Sequence, residues 1–220
     1  MAYPTVDKPY GLKPINLIGG QVFAGSTRLR RIGSSAASIG YGDPVKFDTD
    51  GTVVVCTETT TPPDAGFAGV FLGCTFVSSV TGQPTFSQQW TSGTSVKAGT
   101  YINAYVADDP DTLFKAVGVS ASLVVSTTGG FVYSDIGTNV ALVANTLNTN
   151  TGDSQQGLLT SSVAVTRSLP IRIVDVVEDT AFVSSGTTYY PEVIVKFNAP
   201  YLTSVSLIVG GHAYNNPLGI

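Results

Sequence analysis

The sequence predicts an all-β fold, an antiparallel β-barrel or sandwich with an extended N-terminal arm, and three observations lead there. Gly (24) and Pro (12) punctuate the whole chain, and no stretch long enough for a helix keeps an apolar face at i, i+3, i+4, i+7. Short β-branched and aromatic runs lie between turn residues, as in antiparallel sheets. Charged residues make up only 12% of the chain against 43% hydrophobic ones, about half the charged share usual in soluble domains. A chain of 220 residues holds one large β domain or two small ones. The expected division is an arm over 1–35, a barrel core over 36–130, and a 131–220 region that continues the barrel or forms a second small β domain.

The arm carries Pro4, Pro9 and Pro14, then Gly19, Gly20 and Gly25. Prolines so spaced favour an extended, partly polyproline backbone that does not close a sheet by itself. The same stretch contains Tyr3, Tyr10, Leu12, Ile15, Leu17, Ile18 and Phe23, which a solvated linker does not need. It therefore reads as an arm laid on another surface, its own domain's or a neighbour's. From Ile39 the strand grammar is regular. Val45 and Phe47 alternate with Lys46 and Asp48, the Asp50-Gly51 pair supplies a tight hairpin turn, and the return strand runs from Thr52 to Cys56. After the loop Thr59 to Gly66 comes a buried strand, Phe67 to Val77, punctuated by Gly69 and Gly73. Thr81 to Gly99 is a looser excursion bearing Trp90, and two strands come next around the acidic turn Asp108-Asp109-Pro110-Asp111. Further on, "SLVVS", "FVYSDIGTNVALVA", "SVAVTRSLPIRIVDVVED" and "YYPEVIVKFNAP" are strand candidates, the last two flanking "TAFVSSGTT".

The residues supply no catalytic set. A Ser or Cys nucleophile needs a base, and His212 is the only histidine. "TGDSQQG" places Gly152, Ser154 and Gly157 one residue too far apart for a nucleophile elbow. Asp175, Glu178 and Asp179, like Asp108, Asp109 and Asp111, read as turn chemistry rather than a facing carboxylate pair. "DTDG" at Asp48 to Gly51 opens like a calcium loop, yet Thr59 stands where the distal Glu belongs. Cys56 and Cys74 fit no metal spacing and read as reduced, packed cysteines, with a disulfide between them the alternative in an oxidising setting. No P-loop ending comes after "GLKPINLIGG" or "IGYGDP". The chain is accordingly expected to be no enzyme, with no cofactor, metal or small-molecule substrate.

Partners are expected to be proteins. The net charge of -4 argues against nucleic acid, and the longest apolar runs fall far short of the ~18 residues of a spanning helix. "MAYPTVDKPYG" lacks the apolar run of a secretory signal. The basic cluster Arg28, Arg30 and Arg31 suits acidic patches on a partner. Trp90, Tyr189 and Tyr190 offer either core packing or the sugar platform of a glycan-binding adhesion module.

"GYGDPVKFDTDGTVVVC", "AGFAGVFLGCTF" and "SVKAGTYINAYVADDPDTLFKAV" together resemble the head decoration (capsid cement) proteins of tailed bacteriophages. "VDKPYGLKPINLIGGQVFAGSTR", "LPIRIVDVV" and "EVIVKFNAPY" are similar to structural proteins of marine and cyanobacterial phages. The resemblance implies a β body made in the host cytoplasm and seated on the capsid exterior, contacting the major capsid protein and copies of itself. The arm would then be the clamp, with Tyr3, Tyr10, Leu12, Ile15 and Phe23 as anchors and Arg28, Arg30 and Arg31 as charge partners. A neck, tail-tube or fibre-base protein is the alternative place in a virion.

Overall fold

The computed structural model describes residues 6–25, 27–33, 35–63, 66–199, 201–202, 208–209 and 211–213. Strand accounts for 42% of the chain and helix for 5%, which is the all-β class read from the sequence. The first strands are β1 (Lys13–Leu17), β2 (Arg28–Ile32), β3 (Pro44–Phe47), β4 (Val53–Val55) and β5 (Phe67–Val77). Then come β6 (Pro84–Ser87), β7 (Ile102–Ala107), β8 (Thr112–Val119), β9 (Asn139–Val140) and β10 (Leu142–Val143). Next along the chain are β11 (Gly157–Leu159), β12 (Ile171–Val176), β13 (Phe182–Ser184), β14 (Thr187–Tyr189) and β15 (Glu192–Phe197). No helix among the described residues is long and apolar enough to cross a membrane.

A small barrel occupies the first half. Pairings β3–β4, β4–β2, β2–β7, β7–β5 and β5–β3 close a ring, and β6 extends the far half of β5. One strand can serve three partners because β5 is 11 residues long and bends where its pairing slips, between Phe71 and Cys74. Gly69, with φ +139°, lies where β7 comes closest: a Cβ there would stand 2.3 Å from the Ala107 carbonyl oxygen. Alternation on β7 sends Ile102, Ala104 and Val106 inward, where they meet Ile39, Val45, Val53, Phe71 and Cys74. Trp90 belongs to this interior at 1% exposure, its indole N–H donating to the Ala36 carbonyl at 3.4 Å. The weakest seam is β2–β4, a single parallel pair, Ile32 with Val53.

The acidic turn carries the chain from the barrel into a second sheet. Asp109 makes the bend by accepting the Asp111 N–H on its side chain at 2.9 Å and the Thr112 N–H on its carbonyl at 3.1 Å. The second sheet runs β10-β11-β8-β15-β12-β9, with β1 also on β8. Strand β8 is buried at all but one position, Lys115, which explains why apolar residues fill most of the strand on both faces. Phe67, Val70 and Ala107 of the barrel share one core with Phe114, Ile171, Val193, Val195 and Phe197. Phe67 and Phe197 stack at 4.3 Å between ring centroids.

The expected division therefore shifts. The barrel ends at the turn 108–111 rather than at 130, and the strands beyond that turn build a second sheet, fused to the barrel by a common core. The expected arm over 1–35 is corrected as well, since β1 pairs with β8 and β2 joins the barrel in full register with β7. Proline does not prevent this. Pro14 sits at the register shift of β1, which pairs on one side only, so its missing N–H interrupts no interior ladder. Two further differences concern short elements. Strand β6 lies in the supposed loose excursion, and β13–β14 form a hairpin that starts within "TAFVSSGTT" and ends at Tyr189. Residues 122–126, a strand candidate, contain no strand.

Candidate docking surface

The sequence-predicted anchors fall into different roles. Tyr3 lies outside the described residues. Leu12 is 1% exposed in the shared core, its N–H bonded to the Gly42 carbonyl at 2.8 Å, so it anchors the chain to itself. Tyr10 donates its hydroxyl to buried Glu192, which also pairs with Lys115 at 3.1 Å, and Lys13 lies 4.5 Å above the Tyr10 ring. Burial first, then the Glu192 carboxylate, pushes the Tyr10 hydroxyl well above its ordinary range. Ile15 is half-buried on β1, and Phe23 is half-buried against the shared core. These residues seat the N-terminal segment on its own body, so the clamp reading of Leu12 is corrected: its side chain has no surface to offer.

The arginines also separate. On β2, Arg28 and Arg30 stand opposite the inward residues Val106 and Ala104, at the end of the barrel. Both pair with Asp108, at 3.5 and 3.0 Å, and Arg30 lies 5.3 Å from the centre of the Phe47 ring. Arg31 points the other way, its guanidinium 3.6 Å above Tyr101. It opens an outer face that the sequence did not disclose. Leu29 stands opposite Tyr105 across β2–β7, and Phe86 of β6 packs against Tyr105 at 5.9 Å. Leu29 is 59%, Phe86 65% and Tyr101 60% exposed. Ile18 and Val22, at the tip of the β1 hairpin on the other sheet, are exposed as well. The one sequence signal that could have pointed to this face is the outward phase of β7 at Asn103 and Tyr105, with Tyr101 just before the strand, and nothing local marks Phe86.

The other candidates resolve simply. Trp90 is inside the barrel, whereas Tyr189 belongs to the separate β13–β14 hairpin and Tyr190 bridges Phe131, so the three do not form a sugar platform. Cys56 and Cys74 are free and buried, in separate parts of the core. Burial raises both thiols, Cys74 to about 11. Ser154 is fully buried and accepts the Gln156 N–H at 3.1 Å. Beside it, Asp43 accepts the Gly40 N–H at 2.7 Å, and burial raises its carboxyl despite Ser154, Gly40 and Gln156. Asp48 and Asp50 cap the β3–β4 turn. No group of three His, Cys, Asp or Glu that could hold a metal occurs among the described residues. Comparison with models of known protein families, with curated proteins and with solved structures gives no match.

Proposed function

We propose that this chain is a structural virion protein that binds the outer surface of a phage capsid and cements adjacent major capsid proteins. The observation that carries it is the row Leu29–Tyr105–Phe86 on the barrel wall, half-buried at Tyr105 and exposed at Leu29 and Phe86. Such a row loses favourable apolar area to water unless something covers it. Aromatic side chains held by a rigid sheet are the residues that most often dominate protein interfaces, because little entropy is lost on docking. Many copies on one particle turn a modest contact into firm attachment. The capsid as partner comes from the sequence resemblance, and the docking wall supplies the means.

Cosedimentation with capsids lacking this protein tests it. Phe86→Asp and Leu29→Asp should each weaken attachment by about 2 kcal/mol, roughly thirtyfold. Val165→Asp, at a residue 96% exposed on another loop, should attach like the wild type. A Phe86→Asp chain that decorates as well as the wild type would remove this wall from the contact, and a wild-type chain that never sediments with capsids would end the capsid assignment itself.

A further inference from the structure

Beside the docking wall, the ends of β2 and β7 and the loop before β7 enclose a groove of about 530 Å³, floored by Trp90. That volume lies in the range of small-ligand sites. Two cations reach it, Arg31 and Lys97. Arg28 and Arg30 spend their charge on Asp108, but among the described residues no carboxylate pairs with Arg31 or Lys97. Stacking on Tyr101 fixes the Arg31 plane and leaves its N–H edge for a bidentate carboxylate. The carboxylate on the rim, Asp50, already accepts the Thr52 N–H at 2.9 Å and its hydroxyl at 2.7 Å. Its charge repels an anion from that side and leaves Arg31 and Lys97 as the partners.

The neutral lining narrows the ligand further. Three threonine hydroxyls border the groove, and each has already committed its proton. Thr52 gives it to Asp50, Thr94 to the Thr91 carbonyl at 2.7 Å, and Thr100 to the Lys97 carbonyl at 2.7 Å. These oxygens present lone pairs, so a ligand must bring donors as well as a negative charge. A bare carboxylate brings only the charge, and an acidic peptide spreads its N–H donors along its backbone instead of clustering them around the charged group. A sugar acid brings both, a carboxylate for the two cations and a set of hydroxyls for the threonines. We infer that this groove binds an acidic saccharide, of the uronic or sialic acid type. The inference is independent of the capsid assignment.

The test titrates the full-length protein, ¹⁵N-labelled, with a hyaluronan tetrasaccharide and with sialyllactose, using lactose and tri-glutamate as controls. At least one acidic sugar should shift the backbone amides of residues 31–33 and 97–101, while lactose and tri-glutamate leave them in place. Arg31→Gln and Lys97→Gln, both at exposed positions, should each weaken that binding about tenfold while the remaining spectrum confirms the fold. Three outcomes overturn the inference: neither acidic sugar shifts these amides at ~10 mM, far weaker than ordinary specific binding; tri-glutamate shifts them as strongly; or Arg31→Gln binds unchanged.

Discussion

His212 shows how one buried residue sets a response of the whole chain. It is 3% exposed, beside Phe197, and its neighbour Gly211 accepts the Phe67 N–H at 2.7 Å. Burial, with Asp109 opposing and the Arg30 guanidinium adding to it, pulls the imidazole down to about 4. An unfolded histidine takes its proton near 6.5. As pH falls from about 6.5 to about 4 the unfolded chain therefore binds a proton that the folded chain refuses, and stability falls, by up to about 3 kcal/mol. Asp43 and Asp108 act in the opposite sense. Their carboxyls are raised by burial, so the folded chain takes those protons first and gains stability as the pH drops. Urea midpoints measured at pH 7 and pH 4.5 should drop clearly for the wild type, and the drop should shrink or reverse in His212→Asn. The readout is the difference between the two pH values, so a uniform loss in the variant does not obscure it. An equal drop in both chains would mean that other groups carry the acid sensitivity.

At the scale of the element, β5 holds the barrel together, and its weak point is Gly69. A Cβ there would meet backbone, the Ala107 carbonyl at 2.3 Å, and φ is +139°. Gly69→Ala should cost on the order of 3–4 kcal/mol by pushing β7 away. Gly82, at φ +69°, is the control, since a Cβ there meets nothing within 4 Å. Gly82→Ala should cost about 1 kcal/mol, the backbone term alone. Equal costs by urea denaturation would show that the close approach of β7 is not what demands glycine. Strand β5 was legible in the sequence to its ends, Phe67 and Val77, because burial on both faces leaves a continuous apolar run. The strands β3 and β4 were legible through Asp50-Gly51, and β7 and β8 through the acidic turn. The elements that stayed hidden have a common cause. Strands β1 and β2 are defined by distant partners, Lys13 with Lys115 and Arg28 with Val106, and no local pattern announces such pairing. The hairpin β13–β14 did carry a signal, Ser185-Gly186 with both φ values positive, but its strands are too short to show alternation. The candidate site was half legible for the same reason. Arg31 stood out as a charge, whereas its platform Tyr101 and the exposure of Phe86 depend on the register of three strands.

On the scale of the whole molecule, the two sheets are tied twice, by the Phe67–Phe197 core and by a chain that starts in one and crosses to the other. Residues 13–17 complete the edge of β8 and residues 28–32 complete the barrel. A shared core of this kind predicts that both sheets melt together, since neither can lose its inner face alone. Trp90 is the only tryptophan and sits inside the barrel, so its fluorescence reports that half, while far-ultraviolet circular dichroism reports all strands. In urea the two signals of the full chain should coincide. Removal of residues 1–35 takes one strand from each sheet, together with Leu12 and Ile32 of the core. Two buried side chains of that size carry about 4 kcal/mol of apolar burial, and the lost strands expose two ladders besides. That chain should show no cooperative transition and a solvent-exposed Trp90 emission in buffer. Removal of residues 1–8 spares both strands, Leu12 and the Tyr10–Glu192 bond, and should keep the coincident transition with an unchanged slope. If the chain lacking 1–35 still melts cooperatively with Trp90 buried, the N-terminal segment is an appendage after all and the two sheets stand without it.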